Sequence, residues 1–392
     1  MIKNNKLSFL LILCIFLLFF KIDFRITNDL VCCGDDYDYF AHATTIVEDF
    51  DFDYSNQLPD KSRYYKNEKN APIGFFGTGL LSAPFFALGK LFDVLLKDQS
   101  NGILSYKELV YSISSIFYLF LTLLYIKKIL AFKNIKINKF ILPFFGSGII
   151  FYAFERYSMT HVYEVFSVTM VIYFSLCYFK KNEKNNMYSL LVPLFIFISF
   201  LVRWTNYYVL FIPYIVSKLF FKNNLKFKLF KDSYFLISFI FSICSFAFLS
   251  KAIYGVVTFS PTYVYMEDNV VSELVNYVGA NLLSTFIDTS KDIINILFTK
   301  EFGIFWFSPI IFLGFFLTVK SVFSRKEKKR LAYILVFLSY LQCFFIVSYW
   351  STTASSFGFR YLFSLIPLSI LVVAINKEIR RFNIINFYLK YF

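Results

Sequence analysis

The sequence predicts an all-α, polytopic membrane protein of about ten transmembrane helices, with interfacial helices in its first outer loop. Three observations predict it. Hydrophobic residues make up 58% of the 392 residues, 56 of them are phenylalanine, and the mean hydropathy is +0.59. The apolar residues come in blocks of roughly 15–20, the length that crosses a ~30 Å hydrocarbon core. The charges stand in short clusters between these blocks and not along one solvated face. A soluble chain of this length would split into domains of roughly 100–200 residues, and none could bury so many helices that are apolar all round. One transmembrane domain is therefore expected over 1–392. The same placement explains the net charge of +14 by membrane orientation, with no nucleic-acid partner.

The first block, Leu7–Phe20, follows Lys3 and Lys6 in the manner of a signal peptide. No small-residue cleavage site follows, because the chain continues Lys21-Ile22-Asp23-Phe24-Arg25, so an uncleaved span 7–22 is expected. Val31-Cys32-Cys33 echoes a lipoprotein acceptor cysteine, but a polar stretch separates it from the apolar run. The remaining spans are 107–126, 140–154, 162–179, 187–202, 205–221, 233–250, 304–322, 331–349 and 361–376. Cys14, Cys177, Cys244 and Cys343 fall inside apolar blocks, where cysteine serves as a small hydrophobe. The adjacent Cys32 and Cys33 match no metal-ligand spacing.

With both termini in the cytoplasm, the inner segments carry 25 Lys/Arg against 4 Asp/Glu, and the outer segments 15 against 22. This asymmetry is the positive-inside signature. Two outer segments are long, 23–106 and 251–303; the others, 155–161, 202–205 and 350–360, are short. The inner loops are brief and basic, with no Gly-rich phosphate loop. Chemistry is therefore expected on the outer face, with no role for cytoplasmic nucleotides.

The first outer loop holds the densest polar pattern. Gly34-Asp35-Asp36-Tyr37-Asp38-Tyr39-Phe40-Ala41-His42-Ala43 opens a helix expected to reach Phe50. At 100° per residue, Asp38, His42, Thr45 and Asp49 share a face with Asp35, opposite Tyr39, Phe40, Ala43, Ile46, Val47 and Phe50. That pattern predicts a helix lying on the membrane surface, apolar side down. Asp36 falls within the apolar side, a costly place unless the carboxylate is paired or faces a polar cavity. Asp35 suits either an N-cap or a reactive carboxylate. Asp49, Asp51 and Asp53 alternate, a pattern suited either to a solvated loop or to a divalent cation. Ala71-Pro72-Ile73-Gly74 then leads into Gly79–Phe86, which its Gly and Pro mark as a second interfacial or re-entrant helix.

Three further outer motifs carry charge. Glu155-Arg156-Tyr157-Ser158-Met159-Thr160-His161, with Glu164 one turn later, crowds a tight turn and suits either a site or a structural salt-bridge knot. Arg203-Trp204-Thr205-Asn206 sits between two apolar blocks, where an Arg must snorkel, pair or contact a phosphate. Arg360 opens the last span within Ser356–Leu362, and Gly303–Pro309 opens the eighth. Interfacial Arg, Trp and Tyr are also ordinary membrane anchors.

An acidic pair after the first span, an interfacial helix, then a Pro-Gly entry to a second one, resembles the GT-C superfamily. These are membrane glycosyltransferases that use polyprenyl-phosphate sugars, among them the protein O-mannosyltransferases and lipid A aminoarabinose transferases. The resemblance implies that Asp35 and Asp36 occupy the place of the catalytic carboxylate pair. Relatives often carry Lys-Pro where this chain has Ala71-Pro72, so Lys69 is the nearest substitute for a phosphate-contacting lysine. It implies a polyprenyl-phosphate sugar donor, a lipid, glycan or protein acceptor, and a location in the cytoplasmic membrane of a bacterium. Asp35 is then the base, Asp36 a supporting carboxylate, and Arg203 and Arg360 phosphate clamps sharing one cavity. Lys69, Glu155 and His161 join them as substrate-binding candidates; no metal ligands and no cofactor are assigned, with the acidic loop left open between a solvated loop and a divalent-cation site. The segment 251–303 is expected to cover the cavity. A transporter or flippase of lipid-linked glycans predicts charges deep in the spans and repeat symmetry. A glycan polymerase or ligase predicts Arg and His in one late loop, whereas 251–303 has neither.

Overall fold

The computed structural model describes residues 35–58, 65–96, 105–180, 186–221, 229–261, 264, 282–300, 303–324, 329–350 and 359–376. The expected first span 7–22, Cys32, Cys33 and the basic C-terminal segment lie outside the described residues. The described chain is helical apart from one two-stranded hairpin, Tyr65–Lys66 (β1) against Lys69–Asn70 (β2).

Among the described residues, five helices are long and apolar enough to cross a membrane: Gly77–Leu95 (α2), Tyr106–Ala131 (α3), His161–Lys180 (α6), Ser233–Tyr254 (α9) and Arg330–Ser348 within Arg330–Trp350 (α13). Four of them coincide with expected spans. The fifth, α2, was expected to be interrupted by its Gly and Pro, yet it runs unbroken through Pro84. Its glycines serve close packing and not breakage. A Cβ at Gly79 would stand 2.2 Å from His42 Cβ, and one at Gly89 would stand 2.4 Å from Lys107 Cα. Small residues let helix backbones meet at this distance. α2 lies antiparallel to the first half of α3: Tyr118 donates to the Leu81 carbonyl (2.9 Å), and Asp93 accepts from the Tyr106 and Lys107 amides at the other end.

Other expected spans are divided. The stretch 140–154 forms two short helices, Asn138–Phe145 (α4) and Ile149–Phe154 (α5), separated at Gly148, whose φ of 78° lies in the left-handed region. Val202 ends the helix Asn186–Val202 (α7), and the chain continues as a 3₁₀ helix, Trp204–Phe211, into Ile212–Phe220 (α8). Later come Leu282–Phe298 (α10), Ile304–Phe307 (α11), Pro309–Phe323 (α12) and Leu365–Ile375 (α14), the last preceded by a 3₁₀ turn at Arg360–Leu362.

α6 is the axis of the bundle. Of its most apolar window 94% is buried, against 22% for α9 at the periphery. Hydroxyls tie its neighbours together: Ser114 meets Tyr163 at 2.6 Å, Ser115 donates to the Ala153 carbonyl, and Tyr208 donates to the Ser364 carbonyl. Within an apolar bundle such bonds satisfy groups that lipid cannot. α9 starts at Asp232, which caps it by accepting from the Tyr234 and Phe235 amides and also receives the Ser189 hydroxyl of α7 at 2.7 Å.

Candidate functional site

The polar groups gather where the helix Asp35–Thr44 (α1) meets the ends of α3, α6 and α7. Three carboxylates occupy the first turn of α1, the end where the backbone N–H groups favour negative charge. From Thr45 to Asp49 the helix widens into a π turn, so regular α-helix ends six residues before Phe50. The expected picture of α1 as a helix with one face in water is corrected here. Asp38, His42 and Thr45, the polar face, are buried. The chain after Asp49 folds over them: His42 Nε2 donates to the Gly74 carbonyl (2.9 Å), while its Nδ1 accepts from the Tyr54 hydroxyl (2.8 Å). Burial lowers the His42 pKa to about 4, and the ring is neutral. The apolar side packs on protein as well, with Phe40 and Val47 against Phe86 and Tyr111. α1 is thus sandwiched on both faces.

Asp36 has a private partner. Its Oδ2 accepts from Arg156 Nε at 2.9 Å, and burial outweighs this attraction enough to raise its pKa to about 6. Asp35 points elsewhere. Its side chain is 48% exposed and its Oδ2 lies 3.4 Å from Arg360 Nη2. Arg360 is buried, and its Nε has no hydrogen-bond partner among the described residues.

Asp35 opens onto a cavity of about 150 Å³ whose walls include Asp38, Tyr39, Gly74, Arg203, Trp204 and Tyr361. Arg203 is 8% exposed and its guanidinium rests on the Tyr361 ring, 3.8 Å from the centroid. Arg360 stands over the same ring at 5.4 Å. One aromatic ring therefore carries both arginines, a cation–π platform with Asp35 beside it. Behind Arg203, Nη1 lies 3.1 Å from His161 Nδ1 and 3.4 Å from Glu164 Oε2. The start of the segment 251–303 reaches this place too, since Tyr254 donates to the Gly74 carbonyl at 2.7 Å.

Of the residues singled out in the sequence, Asp35 and Arg203 line the cavity; Arg360, 157 residues after Arg203, is outside the lining and stands beside it, against Asp35 and the Tyr361 ring. Asp36 stands beside Asp35 but faces Arg156 and does not line the cavity. His161 lies behind Arg203. Glu155, at the end of α5, is half-buried and outside the cavity lining. Lys69 sits in the β-hairpin, its Cγ 3.5 Å from where a Cβ on Gly255 would be, and is likewise absent from the lining. Asp38, Tyr39 and Tyr361 were not legible as site residues. Tyr361 follows Arg360 directly, and only the 3₁₀ turn brings its ring beneath Arg203. The alternating acidic loop is self-contained: Asp51 accepts from the Asp53 amide, Asp53 from Ser55, and Asp49 from Asn56 and Gln57. Among the described residues no group of three or more His, Cys, Asp or Glu side chains is placed to hold a metal ion.

What fold and site define is a helical chain with several membrane-length apolar helices and, at one end of the bundle, a cavity lined by Asp35 and Arg203 with Arg360 beside it. Compared with protein-family models, with curated proteins and with solved structures, the chain matches none.

Proposed function

We propose that the chain transfers a sugar from a polyprenyl-phosphate carrier to an acceptor hydroxyl at the outer face of the cytoplasmic membrane. The observation that carries this reading is the meeting of Asp35 and Arg203 in the wall of one cavity, with Arg360 beside it, 3.4 Å from Asp35 and over the same Tyr361 ring as Arg203. A phosphate-linked sugar needs a carboxylate on the acceptor side and cations on the leaving-group side. In the proposed step the Asp35 carboxylate takes the acceptor proton as the acceptor oxygen bonds to C1 of the sugar. The C1–O bond to phosphate breaks, its electron pair leaves with the phosphate, and the configuration at C1 inverts. Arg203 and Arg360 neutralise the departing charge, and their buried, ring-stacked setting means that little water must be displaced when it develops.

Each arginine has one carboxylate at 3.4 Å, Glu164 for Arg203 and Asp35 for Arg360, and a bidentate fork matches a phosphate better than an ammonium would. Charged side chains of the described long helices lie towards helix ends and not at their centres, which supports surface chemistry over a translocation path through the bundle. The ten-span layout with both termini inside belongs to this proposal, since it places the cavity on the outer face. Transfer from a polyprenyl-phosphate sugar, compared between the wild type and Asp35→Asn, tests the reading.

A further inference from the structure

The arginine that lines the cavity is held from behind by two groups that do not line it. Arg203 breaks the helical path between α7 and the 3₁₀ helix with an extended backbone (φ −161°, ψ 131°). Its side chain meets the first turn of α6, where Nη1 lies 3.1 Å from His161 Nδ1 and 3.4 Å from Glu164 Oε2. His161 and Glu164 are both buried, three residues apart on α6, with 3.5 Å between Nδ1 and Oε2. A guanidinium can only donate. Nδ1 must therefore be the acceptor, and the neutral ring carries its proton on Nε2. The imidazole itself is fixed by edge-on contacts with Tyr152 (4.5 Å) and Phe363 (5.9 Å). Among the described residues, the side-chain hydrogen bonds of Arg203 all run through Nη1.

A buried ion pair is a poor way to gain stability, because desolvation cancels most of the attraction. Fixing a functional side chain from its far side is what such supporting groups do well. We propose that His161 and Glu164 are positioning residues: they hold Arg203 by Nη1 and flat on Tyr361, so that its remaining N–H donors are presented to an anionic phosphate headgroup in the Asp35 cavity. Neither touches the ligand. The identity of the anion rests on the function proposed above; the positioning rests on the contacts alone.

Trp204, in the cavity wall next to Arg203, supplies a reporter. In a Trp306→Phe, Trp350→Phe background it is the sole tryptophan, since the chain has three. Full-length protein in nanodiscs would be titrated with dodecyl phosphate and, in parallel, with dodecanol, which has the same chain and no charge. His161→Phe keeps the ring packing and removes the acceptor, and is expected to weaken dodecyl phosphate binding by about tenfold, the loss of one hydrogen bond to a charged group. Dodecanol binding should not change. In an Arg203→Ala background, His161→Phe should cause no further loss. Glu164→Gln, which keeps the shape of the side chain, provides the same comparison should His161→Phe fail to insert. Unchanged phosphate affinity in both variants, or an equal loss with and without Arg203, would overturn the positioning role and leave the proposed function standing. Failure of the wild type to bind dodecyl phosphate would overturn the anion site and the proposed function with it.

Discussion

Asp36 and His42 lie on the same short helix, and burial moves their proton affinities in opposite directions. Asp36 keeps its proton up to about pH 6 against an ordinary 3.8, so the folded state holds a proton that the unfolded chain has lost. Its contribution to stability is present at low pH and falls away as pH rises from about 4 to 6. His42, lowered from 6.5 to about 4, does the reverse: its contribution is present at neutral pH and is lost as pH falls through the same window. Each shift corresponds to about 3 kcal/mol, so the two slopes nearly cancel in the wild type. Asp36→Asn should unmask stability that rises with pH between about 4 and 6.5 relative to wild type, and His42→Gln should unmask the opposite slope. Thermal melting of the three proteins at several pH values checks this. A common pH profile for all three would contradict the burial of both groups. The pairing of Asp36 was half-legible in the sequence, because a carboxylate on an apolar face demands a partner. That the partner is Arg156 was not, since the contact joins residues 120 apart, from α1 to the turn that follows α5.

Periodicity located most helices to within a few residues, because an apolar block of membrane length admits little else. It failed where composition has two readings. Glycine in α2 was read as a breaker, although in an apolar environment it equally marks close helix contact. Likewise, the polar stripe of α1 was read as solvated, because no pattern local to residues 35–50 shows that the following loop will cover it. The contact at Gly79 has a measurable consequence. Its missing Cβ leaves room for His42 on the face of α2 that holds α1 in place. Gly79→Leu should lower stability by about 1–3 kcal/mol, the usual cost of overpacking, and displace Asp35 from Arg360. Ala87→Leu, on the exposed side of the same helix, should be neutral in the same melting assay. Equal effects would show that the α1–α2 contact is not tight.

At the scale of the whole molecule, charge and packing give one direction to the bundle. Two lysines close the C-terminus of α8, Lys133 donating to the Phe220 carbonyl and Lys329 to the Leu219 carbonyl. Cations at helix C-termini complement the macrodipole, so Lys133 and Lys329, from basic segments expected to face the cytoplasm, also cap α8. In a variant lacking the six native cysteines, a cysteine at position 60 should react with an impermeant maleimide on intact cells, and one at position 326 only after lysis. The reverse pattern would put the cavity on the cytoplasmic side. Arg203 and Arg360 were expected to share one cavity; Arg203 lines it, and Arg360 stands beside it across the Tyr361 ring. The ring between them was not expected, because nothing in Arg360-Tyr361 distinguishes a stacking platform from an interfacial anchor.

Turnover by Asp35→Asn tests the central claim most directly. The amide retains the size of the side chain and its ability to accept hydrogen bonds at the start of α1, so a residue that only caps the helix would tolerate the change. Lost basicity should instead slow transfer of sugar from polyprenyl phosphate by about 10²–10⁴-fold, the range of general-base catalysis, with insertion and melting temperature unchanged. Transfer at the wild-type rate by a folded Asp35→Asn protein would contradict the account.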